Sequence, residues 1–153
     1  MSLGQELFPV DVKLSTTHQC SNPKTCGAAK FCSDSSLNTW CHSAGSEEAP
    51  WVALVFTGPV WVEKVELFNV NEPVAAARLR NVEVRITNTL PTNRRSMFSG
   101  GLVLGSFSGP ATSDQVIKME GTPKQGKIVL VQMKHKVPLH LKEIRVFGLS
   151  EQD

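Results

Sequence analysis

The sequence predicts an all-β domain, a sandwich or a barrel, on three observations. Eight short segments read as strands, Gly/Pro turn signals fall between them, and no segment keeps a 3.6-residue apolar period over three turns. The strands are expected at Val10–Ser15, Trp51–Thr57, Val60–Asn69, Arg80–Thr87, Leu102–Phe107, Gln115–Met119, Lys127–Met133 and Leu139–Phe147. In RLRNVEVRITN, Val82, Val84 and Ile86 alternate with Glu83 and Arg85, giving one apolar and one charged face. GKIVLVQM is apolar at successive positions and reads as a central strand covered on both sides. In PLHLKEIRVFG the apolar phase shifts between Leu141 and Ile144, which places a bulge near Lys142–Glu143. Turns are expected at Thr57-Gly58-Pro59, Ser108-Gly109-Pro110 and Gly121-Thr122-Pro123, and EPVAAAR is long enough for one helical turn.

A chain of 153 residues suits a single domain with one core, taken to span 1–153 with its centre at about 10–148. Sixteen basic against 14 acidic residues leave a formal charge of +2, too little to argue for nucleic acid. No apolar run reaches the length of a membrane span, and MSLGQELFPV lacks the basic and apolar regions of a secretory leader.

Cys20, Cys26, Cys32 and Cys41 lie close together and no cysteine follows them. An even, clustered count favours two disulfides and an oxidising compartment. The alternatives are reduced thiols, which would suit an intracellular protein, and a zinc site with His18 or His42 as a substitute ligand. Gaps of five, five and eight residues are wider than structural zinc pairs use. Four cysteines permit three pairings, and spacing does not choose among them.

Catalytic signatures are not found: there is no phosphate loop, no dinucleotide fingerprint and no nucleophile elbow. His18, His42, His135 and His140 show no ligand spacing on a helix, and nothing selects a triad from them. The expectation is a binding domain, not an enzyme.

Three stretches in order point further. DSSLNTWCHSAGSEEAPWVALVFTGPVWVEKVELFN resembles the discoidin (coagulation-factor type C) and F-type lectin families, in which a PWW-x-VDL segment is followed by a strand of the form I-x-x-V-x-I-x-N. RLRNVEVRI resembles the RL-x-N-x-EVRI stretch of F-type lectins, and LHLKEIRVFG is similar to the closing strand of both groups. The resemblance runs from about Val10 to Gly148. It implies an eight-stranded jelly-roll β-sandwich of the galactose-binding-like type, with ligand held by loops at one end.

The resemblance also implies a site. F-type lectins grip a sugar with a histidine, an arginine, an acidic residue and a second basic residue, because arginine and histidine donors suit ring and hydroxyl oxygens. His42, Glu72 and Arg78 stand at the histidine, acidic and second basic positions, while Val70 replaces the first arginine. A structural Ca2+ is implied near the first loop, with Asp34, Asn38, Ser43 and Glu143 as its oxygen donors. Trp40 is the tryptophan expected to make an exposed contact; Trp51 and Trp61 are expected in the core or on a sheet face.

Three functions compete at this level, the third being an intracellular scaffold subunit of the same fold with reduced cysteines. The first is an extracellular, lectin-like module whose partner is a glycan or a cell-surface glycoprotein. The second is a module of the same fold that binds a protein or a membrane surface, using Val70 and an apolar tip of Leu90, Met97 and Phe98.

Overall fold

The computed structural model describes residues 4–45, 47–92 and 96–150. The all-β expectation holds, with nine strands among these residues where the sequence predicts eight. They are β1 Gln5–Leu7, β2 Asp11–Leu14, β3 Cys26–Gly27, β4 Trp40–His42, β5 Trp51–Asn69, β6 Val82–Thr87, β7 Leu102–Phe107, β8 Val116–Met133 and β9 His140–Ser150. A one-turn helix, α1, covers Pro73–Ala76, and a 3₁₀ turn covers Ala29–Ser33. The hydrogen-bonded order is β3-β4-β9-β5-β8-β6-β7, with β1 added to β9 and β2 to β5. No helix among the described residues is long and apolar enough to cross a membrane.

Two predicted turns prove to be irregularities inside long strands. Thr57-Gly58-Pro59 lies within β5, where the pairing with β8 shifts between Val55 and Val60. Gly121-Thr122-Pro123 lies within β8, opposite the shift between Val62 and Lys64. Gly and Pro weaken a ladder without ending the strand when a bulge absorbs the missing bonds. The first half of β5 therefore pairs with β2 and with the end of β8, and its second half pairs with β9 and the start of β8. Ser108-Gly109-Pro110 is a true connection. The predicted bulge in β9 is present: Phe68 pairs with Glu143 and Asn69 with Leu141, leaving Lys142 as the extra residue.

The main core contains Val52, Leu54, Val62, Val65, Leu67, Val84, Val129, Val131, Leu139 and Leu141, each without solvent contact. On the other side of the same strands, Trp51, Ala53, Ile128 and Leu130 form a second cluster. β8 is thus covered on both faces, as its unbroken apolar run predicts. Leu90 and Phe98 pack onto the second cluster, and Met97 is half-buried. This corrects the exposed apolar tip expected of that loop: the sheet beneath it carries Trp51 and Ile128, and covering them removes more apolar area from water than leaving the loop upright. Asn93, Arg94 and Arg95 lie outside the described residues.

The cysteines pair as Cys20–Cys26 and Cys32–Cys41, with no free thiol among the described residues. All four sulfurs are thereby used, which removes both the zinc and the reduced-thiol readings. Cys32 and Cys41 are fully buried and tie the 3₁₀ turn to β4. Replacing both with serine is expected to cost about 2–3 kcal/mol, the loop-closure value for a short bridge. Urea unfolding would measure it, and an unshifted midpoint would refute the role.

Candidate functional site

β4 is only three residues long, yet it sets the site. It pairs antiparallel with β9, placing Cys41 across from Leu141 and His42 across from His140. His18 reaches the same place because its N–H donates to the His42 carbonyl at 2.8 Å. The three imidazoles form a row, with ring centres 4.4 Å apart for His18–His42 and 4.3 Å for His42–His140. Trp40 continues it, 6.1 Å from His140 and inclined by 55°. Gly27 makes this packing possible: its φ of +103° suits glycine, and a Cβ there would stand 2.7 Å from the His18 carbonyl oxygen.

Burial favours the neutral form of two of these rings, His42 and His140. Burial lowers the pKa of His42, and the neighbouring His18 and Arg78 lower it further, against the opposing effect of its bond to Ser43. His42 Nδ1 donates to the Ser43 carbonyl at 2.6 Å, so its Nε2 is the lone-pair nitrogen. His140 is pushed down to about 3, by burial first and then by His42, Arg78 and His18. Arg78 thus sits near enough to act on both rings.

A loop positions Arg78. Glu72 caps α1, accepting from Val74 N at 3.0 Å and Ala75 N at 2.7 Å. Those two bonds, followed by the weaker influence of Arg78, lower its pKa. Arg78 N then donates to the Ala75 carbonyl at 3.1 Å. Asn69 anchors the loop from inside: its Nδ2 donates to the carbonyls of Ala76 and Thr112, each at 2.9 Å, and its Oδ1 accepts from Val70 N. Val70 is buried against Ala75, Ala76 and Trp40. It is not an exposed tip, which corrects the reading of this residue as a surface for an apolar partner.

A cleft of about 270 Å³ opens beside the row, lined by Leu37, Trp40, Val70, Glu72, His140 and Lys142, with Asn38 and Asn71 at its edge. Trp40 supplies an apolar wall, and polar groups surround it, the pattern of a small-ligand site. A second cleft of about 230 Å³, between β1 and Phe56–Val60, is lined by no histidine or arginine.

Of the expected binding residues, Glu72 lines the cleft directly. His42 is the middle ring of the row, and the Arg78 charge acts on it and on His140. His140 and Lys142 are residues that the sequence reading did not select. The signal for His140 is its parity: it lies between the core residues Leu139 and Leu141 and so faces away from the core, toward β4.

The expected calcium donors are divided. Asp34 N donates to Glu143 Oε1 at 3.1 Å, and the loop folds around Asp34, with Ser36 N on Oδ1 at 3.1 Å and the Thr39 hydroxyl on Oδ2 at 2.5 Å. Asn38 N closes onto Ser36 Oγ at 3.1 Å. Glu143 is raised to about 7 by burial, with the nearby Asp34 charge adding to it, while Arg145 Nε lies 3.7 Å from Oε2 and opposes it. Ser43 does not belong to this corner. Its Oγ accepts from Leu139 N at 2.8 Å, just before β9, while the Glu143 carboxylate engages Asp34 N. Thr39 provides the hydroxyl beside Asp34 instead. Among the described residues no three His, Cys, Asp or Glu side chains converge on one point.

No protein-family model matches the chain, and no curated protein does. Solved structures do. An F-type lectin from striped bass (Morone saxatilis) serum superposes with a TM-score of 0.75 at 20% identity, over 90% of this chain. A fucose-binding module of Streptococcus pneumoniae gives 0.68 at 16% identity, covering 95% of this chain and 96% of its own. The fold is that of the F-type lectins and their galactose-binding-like relatives. A Clostridium perfringens carbohydrate-binding module solved with GalNAc-beta-1,3-galactose gives 0.70 at 14% identity, over 90% of this chain and 94% of its own. This chain spans 46% of the length of the striped bass protein.

The depressed His140 predicts acid sensitivity. A histidine whose folded pKa lies below its unfolded value contributes stability that is complete above about 6.5 and is lost as pH falls toward about 3. By pH 4 that loss is on the order of 3 kcal/mol. His140→Phe removes this component, so the stability difference between variant and parent is expected to grow in the variant's favour from pH 7 to pH 4. A pH-independent difference in urea unfolding would contradict it.

Proposed function

We propose that this domain is a non-catalytic, extracellular carbohydrate-binding module that holds a glycan at the histidine end of the sandwich. One observation carries the reading: an aromatic wall, Trp40, stands over a small cleft beside neutral imidazoles, with the Arg78 charge close to them. Sugar rings have apolar faces that stack on indole and hydroxyl edges that need both donors and acceptors. His42 offers a lone pair and Arg78 a fork of N–H groups. The neighbours of the same fold that bind sugars support this, as do two disulfides for an oxidising compartment. A single cleft of this size binds weakly, so avidity through repetition is expected.

On a glycan array that includes fucosylated chains and GalNAc-beta-1,3-galactose, the domain is expected to give a defined set of signals. Arg78→Ala and His42→Ala should each reduce them by about tenfold or more, the equivalent of one charge-assisted or buried hydrogen bond. An array without signal at high protein concentration would sink the reading.

We also infer a structural Ca2+ at the corner of Asp34, Asn38, Thr39 and Glu143. The buried Glu143 carboxylate lies near another acid, Asp34, with Arg145 Nε at 3.7 Å from its Oε2. Carbonyl oxygens of the 34–39 loop would complete the six to eight donors that Ca2+ needs. Millimolar Ca2+ is expected to raise the melting temperature, EGTA to reverse it, and Glu143→Gln to abolish the response. A melting temperature indifferent to both would remove the ion.

A further inference from the structure

Both ring nitrogens of His140 are shielded from solvent, and neither has a hydrogen-bond partner among the described residues. A neutral imidazole carries one N–H and one lone pair, and burying either unmet is unfavourable. The fold gains nothing from that polarity. A phenyl ring would occupy the same space between His42 and Trp40 without an unmet donor or acceptor. The ring also lines the cleft, and a half-turn about Cβ–Cγ exchanges each nitrogen with a carbon while keeping the ring's outline. A nitrogen can therefore be turned toward the cleft without repacking Trp40 or His42.

We propose that His140 is a ligand-contacting and specificity-determining residue, which turns a ring nitrogen onto a sugar hydroxyl when the cleft is filled. This rests on the carbohydrate reading and narrows it. Burial first, and then the neighbouring rings and the Arg78 charge, keep His140 neutral, so it presents no charge to its ligand. It matches a group that both donates and accepts, a hydroxyl, and offers no counter-charge to a carboxylate. Trp40 supplies the stacking face alongside. The ligand at this subsite is a neutral, hydroxyl-bearing ring.

The test compares His140→Phe and His140→Gln with the parent protein, using the array above and then titration calorimetry with the strongest free glycan and with L-fucose. His140→Phe is expected to melt no lower than the parent and to lose about tenfold or more in affinity, the value of one hydrogen bond. His140→Gln, which keeps a donor and an acceptor, should recover most of that loss. If the parent binds glycan and His140→Phe binds equally well, His140 is a packing residue and the inference fails while the carbohydrate reading stands. If His140→Phe loses binding only because it unfolds, its melting temperature shows that, and binding by a well-folded His140→Gln then decides: retained affinity supports the contact and lost affinity overturns it. A parent protein that binds nothing on the array overturns both.

Discussion

The antiparallel seam between β4 and β9 is the contact on which the site depends. Two residue pairs, Cys41 with Leu141 and His42 with His140, bring together parts of the chain about a hundred residues apart in sequence. Three residues of strand cannot hold that position unaided. The Cys32–Cys41 bridge secures β4 from beneath, the Leu139 N to Ser43 Oγ bond secures its end, and β3 pairs along its outer side. Once β4 is fixed, Trp40, His42 and His140 have little freedom left. The loop carrying Arg78 is fixed separately, by the Asn69 side chain inside and the Glu72 cap outside.

These devices do not all favour stability. Glu143 is held with a pKa of about 7 and His140 with one of about 3, so each is kept against its preference in water. The two lie three residues apart on β9, on either side of the bulge at Lys142. Bulges commonly re-aim side chains at functional ends of sheets. Here the bulge follows the step from the cleft, where His140 and Lys142 line the wall, to the acid corner at Glu143.

The sequence showed the fold more clearly than the site. Alternation in Val82–Ile86, the continuous apolar run of β8 and the phase shift in β9 each correspond to an observed feature, because strand periodicity is a local consequence of which face is buried. The sequence divides the long strands β5 and β8 into two pieces each, since a Gly-Pro or Gly-Thr-Pro signal looks the same in a turn and in a bulge. The short strands β3 and β4 carry no periodicity at all and become visible only through what they pair with. His42 and Arg78 enter as candidates only through resemblance to F-type lectins. Local parity turns His140 away from the core, but its place beside His42 comes from a cross-strand pairing that no local pattern encodes. Ser43 and Thr39 illustrate the same limit: each is a hydroxyl near the cysteine loop, and only the register against β9 separates them.

The central claim is that a sugar is held where β4 meets β9. The most direct measurement is NMR of the uniformly labelled protein, following ring and indole signals as the strongest array glycan is added. The signals of His140, His42 and the Trp40 indole, with the Arg78 side chain, are expected to shift together and saturate at one affinity, while those of Leu90 and Phe98 stay in place. Shifts confined to the Leu90–Phe98 face or to the cleft beside β1, with the histidine row unmoved, would contradict it.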